Sequence, residues 1–377
     1  MNIHDIQCRT VTSGFELQAQ ISEGSKVHPV WFRWPGPTCP TPGDVFLLIG
    51  LLPAMTFGGQ LRIEETVSER LFQALASIQK FFLKLDPALH AVEVVPQGVC
   101  SWPAPSSGLP EGKACTFTGG VDSFYSTLLH LPELQHLIFI HGYDIPLSQD
   151  PLRTQVSSQL RLAAEQLNKP LFEIETNLRD FSDRYVNWEH FFGAAVAAVG
   201  VLMCGAHRLL YFPSSFSSNH LIECGSHPQL DPLFSTERVE MIHDASDVTR
   251  SEKIVSISRN PIAMRTLRVC WENRNGAYNC GQCEKCLRTL VALRLAGALD
   301  RCSTFPSSVN LTHLLSIADL HVLVRPLWFE NLSVAVDMGT DPDLIAALKK
   351  LVRRSYPWHY LRWLLHIRGH ASNSPSY

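Results

Sequence analysis

The chain has 377 residues, of which 45% are hydrophobic and 18% charged, with a formal net charge of −3. That length calls for two or three domains, and that composition allows sizeable buried cores and excludes wholesale disorder. The near-neutral balance carries no global mark of a nucleic-acid binder, and eleven cysteines point to thiols and metal, not to a disulfide scaffold.

The N-terminal stretch MNIHDIQCRTVTSG has no basic start followed by an apolar run, so a cytoplasmic protein is expected. Residues 1–110 read as an α+β accessory domain. Phe15–Ile21 and Val30–Trp34 alternate like strands. A Pro-rich turn (PGPTCPTPGD) follows, and Val45–Leu52 is expected to be an apolar strand. Ser68–Leu85 has the spacing of an amphipathic helix, with Leu71, Leu75, Ile78, Phe81 and Phe82 on one face. Val92–Val95 is expected to be the last strand before a linker of Pro, Ser and Gly (WPAPSSGLPEG).

Residues 113–305 alternate strand and helix. Strands are expected at Lys113–Thr118, Leu137–His141, Leu171–Thr176, Leu209–Pro213 and Val239–His243. Helices are expected at Ser123–Leu131, Leu152–Leu167, Trp188–Cys204 and Arg250–Ile257. This alternation predicts an α/β fold, a parallel sheet with helices on both faces, whose ligands sit beyond the carboxyl ends of the strands. The apolar run Phe191–Ala206 is short for a membrane span and suits a tightly packed interior helix. Residues 310–377 read as a helical C-terminal extension, ending in a basic aromatic segment (KKLVRRSYPWHYLRWLLHIRGH). That segment is expected to be a solvated amphipathic helix packed by its Trp and Leu residues; a membrane or RNA surface is the alternative.

Two motifs carry chemistry. The first is Thr118-Gly119-Gly120-Val121-Asp122-Ser123, at a strand–helix junction. Paired glycines allow a tight turn and a close approach of backbone to phosphate oxygens, and the N–H groups of the helix start attract an anion. Ser123 can donate to a phosphate. Asp122 would repel one, so its place there makes sense as a ligand for Mg²⁺ bridging the phosphates. The plain alternative is an ordinary turn with Asp122 as a helix cap. The stretch Gly108–Ala114 only mimics a Walker A loop: it has three residues between its glycines, ends in Ala, and precedes a strand.

The second motif is Cys270, Cys280, Cys283 and Cys286, spaced C-x9-C-x2-C-x2-C. Four thiolates at this spacing suit tetrahedral Zn²⁺ in a closed, structural site. The alternatives are disulfides, an iron–sulfur cluster and unligated thiols. A ferredoxin run would require a cysteine where Leu290 stands, and three cysteines within seven residues argue against the last.

The TGGVDS turn resembles the SGGxDS loop of the PP-loop ATP pyrophosphatases, with Thr118 in place of the first serine. A GGxDS loop followed by this cysteine spacing is similar to the 7-cyano-7-deazaguanine synthase family, over roughly half of the chain. The resemblance implies an adenine nucleotide alpha-hydrolase-like fold in which Thr118 to Ser123 hold the pyrophosphate of ATP and Asp122 holds Mg²⁺. It also implies adenylation of a carboxylate of the 7-deazaguanine type, release of AMP and pyrophosphate, and amide or nitrile formation with an ammonia donor. His141–Pro146 stands where the family has a YGQRH-like segment, and Val186–His190 where it has a PGRN-like one.

Substrate candidates lie in loops after strands. His227 and Asp231 fall in the long polar stretch 213–235, where Asp231 could accept from a base edge; loop stabilisation is the competing role. Trp188 and His190 could stack on or hydrogen-bond a ligand, or simply pack. Arg250 and Lys253 could neutralise a phosphate or carboxylate, or be solvated. No glutaminase segment is visible, so ammonia would arrive free or from a partner. Residues 1–110 could hold a protein partner, no membrane is expected, and a homodimer is left open. The competing functions are a PP-loop enzyme that modifies RNA, as in thiolation, and a nucleotide-binding scaffold without catalysis.

Overall fold

The computed structural model describes residues 1–36, 39, 41–102, 112–318 and 320–361. The proposed linker over 103–111, most of the Walker-like stretch, three residues of the Pro-rich turn and the end of the basic segment from 362 lie outside these. The chain divides into two units, 1–249 and 250–377.

In the first unit the elements run β1 (Asn2–Val11), β2 (Gly14–Glu23), β3 (Lys26–Trp34), α1 (Pro42–Met55), β4 (Gly59–Ser68), α2 (Glu69–Leu85) and β5 (Val92–Cys100). They continue with β6 (Lys113–Thr116), α3 (Val121–Leu129), β7 (Leu134–His141), α4 (Asp150–Gln166), β8 (Leu171–Thr176), α5 (Leu178–Ser182), α6 (Trp188–Leu202), β9 (Leu209–Pro213) and β10 (Glu240–Asp244). All ten strands form one sheet, in the order β10-β9-β6-β7-β8-β3-β2-β1-β4-β5. The five strands from β10 to β8 are mutually parallel. β8, β3, β2 and β1 follow as antiparallel neighbours, and β4 and β5 return to parallel pairing. The sheet is therefore mixed and mostly parallel, and residues 1–100 extend it.

Val45–Leu52, expected as a strand, is instead the middle of α1. Pro42 occupies the first turn, where its missing N–H costs nothing, and Asp44 lies at the positive end of the helix. Thirteen of its fourteen residues are buried, so the run is apolar on every side and shows neither helical nor strand period. α1 packs against β4 and α6. α6 is the Ala- and Gly-rich run, a buried helix as expected, and no helix of the described residues is long and apolar enough to cross a membrane. α2 buries Leu71, Leu75, Ile78 and Phe82 of the stripe read from spacing, and Phe81, its fifth member, is only half-buried.

The second unit holds α7 (Arg250–Ile257), α8 (Pro261–Thr266), α9 (Glu284–Leu295), α10 (Leu311–Ser316), α11 (Arg325–Met338) and α12 (Pro342–Ser355). α9 packs on α7 and α11, and α12 on α10 and α11. Trp328 of α11 is fully buried and donates its indole N–H to Glu284 of α9 at 2.8 Å.

Candidate functional site

The five parallel strands make a crossing pattern with one reversal. From β6 the chain moves outward through β7 and β8, then returns to the other side of β6 for β9 and β10. The loops after β6 and β9 therefore leave in opposite directions, the arrangement at which open α/β sheets form a ligand crevice at the carboxyl ends of the strands. The Thr118–Ser123 turn is the loop after β6.

Its geometry follows from its residues. Gly119 has φ +72°, a left-handed conformation that costs a side-chain-bearing residue about 1–2 kcal/mol. Gly120 is extended and caps α3, whose first residue is Val121. Two hydroxyls brace the turn. Thr118 Oγ1 accepts from the Gly120 amide at 3.4 Å and lies 3.3 Å from Ser123 Oγ, which donates to the Gly120 carbonyl at 3.2 Å. Among the described residues, no acceptor takes the amide hydrogens of Gly119, Val121 or Ser123. The turn thus presents open amides at a helix start, as an anion site requires. From the loop after β9, Ser215 donates to Asp122 Oδ2 at 3.5 Å. A cavity of about 560 Å³ opens elsewhere in this unit, and none of residues 118–123 lines it.

The long loop 213–235 runs from the end of β9 to the start of α6. There the Gly225 amide donates to the Glu189 carbonyl at 2.7 Å, and a Cβ on Gly193 would fall 1.8 Å from the Gly225 carbonyl oxygen. Two facing glycines let loop and helix touch backbone to backbone. The His190 backbone is thereby brought beside Gly225. Trp188 is half-buried in packing: Tyr143 meets it edge-on at 5.0 Å and the Arg179 guanidinium lies 4.4 Å over its ring.

Asp231 is fully buried. Its carboxylate accepts from Ser226 Oγ at 2.6 Å, from the His227 amide at 3.2 Å and from His243 Nδ1 at 2.7 Å. The His243 contact ties the loop to β10, while Ser226 and His227 close the loop on itself. Burial pulls the His227 imidazole below its usual range, and its Nδ1 accepts from the Gln229 amide at 3.1 Å. His243, at the carboxyl end of β10, was passed over in the sequence as a strand residue. The signal was there: a histidine at the end of a strand in a βα series points toward the ligand side.

Arg250 and Lys253 belong to α7 of the second unit, and at 6% and 1% exposure neither is a solvated surface charge. The four cysteines lie in the same unit. Their sulfurs are within 4.8 Å of one another, with Cys270–Cys283 and Cys280–Cys286 both at 3.9 Å. A tetrahedral ion with bonds of about 2.3 Å would set its thiolates about 3.8 Å apart, so the group could hold a metal ion such as zinc. Local structure prepares it. Gly281 takes φ +66°. The Cys283 amide donates to Cys280 Sγ at 3.2 Å and the Cys286 amide to Cys283 Sγ at 3.4 Å, so backbone dipoles already face the sulfurs. Asn279 fixes the other arm by accepting from the amides of Val269 and Cys270 at 2.9 and 3.2 Å. Cys283 also caps α9, so the knuckle and the helix start are one structure.

No family model, curated protein or solved structure matches this chain.

Proposed function

We propose that the first unit is an ATP pyrophosphatase of the PP-loop kind, with an adenine nucleotide alpha-hydrolase-like arrangement, that adenylates a small carboxylate. One observation carries the reading. The Gly-Gly-x-Asp-Ser turn stands at the reversal point between β6 and β9, with Gly119 left-handed and the amides of Gly119, Val121 and Ser123 without an acceptor among the described residues. Nucleotides bind at such a point in sheets of this strand order.

The chemistry follows from charge. A carboxylate oxygen of the substrate attacks the α-phosphorus, the α–β bridging P–O bond breaks, and pyrophosphate leaves with the bonding pair. Amides of the turn hold the departing pyrophosphate and reduce repulsion between the two anions. Mg²⁺ held by Asp122 would neutralise the phosphate oxygens in that step. Ammonia then adds to the acyl carbon, AMP departs and one proton is released, giving the amide. Attack of the amide oxygen on the α-phosphorus of a second ATP, with release of pyrophosphate, followed by loss of AMP and a proton, would give a nitrile. A 7-deazaguanine-type acid is the substrate class that the loop and cysteine pairing suggest. The loop 213–235, pinned by Asp231 and His243 at one end and touching Asp122 at the other, would cover it. In the second unit Cys270, Cys280, Cys283 and Cys286 would hold zinc with every position filled, which is a structural role.

The test is product analysis. Purified protein with ATP, MgCl₂ and 7-carboxy-7-deazaguanine, or a panel of related acids, is expected to yield AMP and pyrophosphate in equal amounts. Asp122→Ala is expected to abolish both. Formation of ADP and orthophosphate would overturn the proposal.

A further inference from the structure

α2 belongs to the N-terminal part of the sheet, yet its contacts run along the loop that would cover the substrate. At its first turn the Arg70 amide donates to the Glu237 carboxylate at 2.9 Å, and Arg70 Nη1 donates to the Thr236 carbonyl at 3.2 Å. The turn Asp231–Phe234 packs against the helix. Farther on, the Phe81 ring lies 5.3 Å from the His227 ring, and at the last turn Lys84 pairs with Glu223. Helix residues 70, 81 and 84 thus meet loop residues 237, 227 and 223, in reverse order. A helix of 17 residues is about 25 Å long and stiff, so α2 acts as a splint along that part of the loop.

The splint ends where the loop is weakly held. On one side the Ser218 amide donates to the Ser246 carbonyl at 2.5 Å. On the other, Cys224 is buried and the Gly225 amide is tied to the Glu189 carbonyl of α6. Between these anchors Asn219, His220, Leu221 and Glu223 are exposed and Ile222 is half-buried. Among the described residues, the one hydrogen bond or ion pair from 219–223 to a residue outside the loop is that of Glu223 with Lys84. The side chains of Lys84 and Glu223 are 69% and 41% exposed, and a pair so exposed adds little to overall stability. Its effect is local: it fixes how a stretch with no other polar tie lies. The same loop touches the phosphate turn farther back, where Ser215 donates to Asp122.

We propose that Lys84 is a positioning residue: through Glu223 it sets where 219–223 lies, and so how the attacking acid is seated beside the phosphate turn. The catalytic consequence rests on the adenylation reading; the splint itself does not. The N-terminal part of the chain then takes part in recognition of the acid and leaves the binding of ATP alone.

The experiment uses the full chain carrying Lys84→Glu, Glu223→Lys or both exchanges together. Chymotrypsin under native conditions, with fragments mapped by mass spectrometry, reads the loop through cleavage after the exposed Leu221. Steady-state AMP formation reads the site. Each single exchange is expected to speed the cleavage about threefold or more, and the double exchange to bring it back to within about 1.5-fold of the original rate. KM for the acid is expected to rise about threefold or more in the single variants, with KM for ATP and kcat within about twofold, and to recover in the double variant. Melting is expected to be the same in every variant, which separates positioning from loss of fold. Cleavage unchanged by either single exchange, a double exchange that fails to restore it, or a KM for ATP that rises as much as that for the acid would each overturn the proposal. Absence of AMP from the unaltered chain would instead sink the adenylation reading, and the cleavage series would still decide whether Lys84 positions the loop.

Discussion

At the scale of single residues, the conformation of one glycine and the charge of one carboxylate decide the candidate site. Gly119 holds φ +72°, so Gly119→Ala forces a side chain into left-handed backbone. A loss of about 1–2 kcal/mol is expected in urea unfolding. AMP formation is expected to fall more steeply than stability, because the amide fan at Gly119, Val121 and Ser123 loses its shape. Equal activity in the two proteins would show that the turn does not touch the reacting phosphates. Asp122→Asn separates charge from shape. It keeps an acceptor for Ser215 and is expected to leave melting within a degree or two while removing Mg²⁺-dependent turnover.

At the scale of elements, close backbone contact and buried charge set the outcomes. α6 and the loop 213–235 meet through Gly193 and Gly225, where an added Cβ on Gly193 would reach 1.8 Å from a backbone oxygen. No side-chain rotation relieves a clash with backbone, so Gly193→Ala is expected to cost about 1–3 kcal/mol or more and to displace the loop. Proteolysis within 213–224 is expected to speed up in this variant. A second case lies at the start of α1. Asp44 is fully buried and its Oδ1 accepts from the Ser68 amide at 2.6 Å. Burial raises its carboxyl from an ordinary 3.8 to about 7. The folded protein thus binds this proton more firmly than the unfolded chain does. The stability it contributes is complete below about pH 4 and is lost as pH rises toward 7, up to about 4 kcal/mol. Asp44→Asn keeps an acceptor for Ser68 without the charge. It is expected to raise unfolding free energy at pH 8 and to give little gain at pH 4. An equal change at both pH values would refute the assignment. Glu173, held at about 2, has the opposite sign: its contribution is present above about pH 4.5 and fades as pH falls toward 2.

At the scale of the whole chain, the two units differ in build. The first has a ten-stranded sheet and a deep apolar core, while the second is helical and carries a cysteine knuckle at the start of α9. Structural zinc sites of this kind supply about 10–16 kcal/mol of apparent binding free energy. Elemental analysis is expected to find one zinc per chain. Strong chelation, or Cys286→Ser, is expected to remove the cooperative melting of 250–377 while the sheet's circular dichroism persists. Full retention of melting after verified metal removal would show that the knuckle is not a folding element.

Much of this was legible without a structure, and the reason is periodicity. β2, β3, α2 and the βα series from β6 to β10 announce themselves through alternation or helical spacing, and the cysteine knuckle through spacing alone. α1 did not, because a helix buried on every side has no polar face to mark its period. β1 and β4 were missed because most of their residues are polar and only a few are buried, which blurs the alternation. The sequence determined which residues could form a phosphate turn and a metal group, since those depend on neighbours in the chain. Only the tertiary structure decided that β8 pairs with β3 to join both halves into one sheet. It alone decided that the turn falls at the reversal between β6 and β9, and that Asp231 spends its charge on His243. Each of those depends on which distant strands become neighbours, and side-chain pattern specifies a strand's faces, not the partner at its edge.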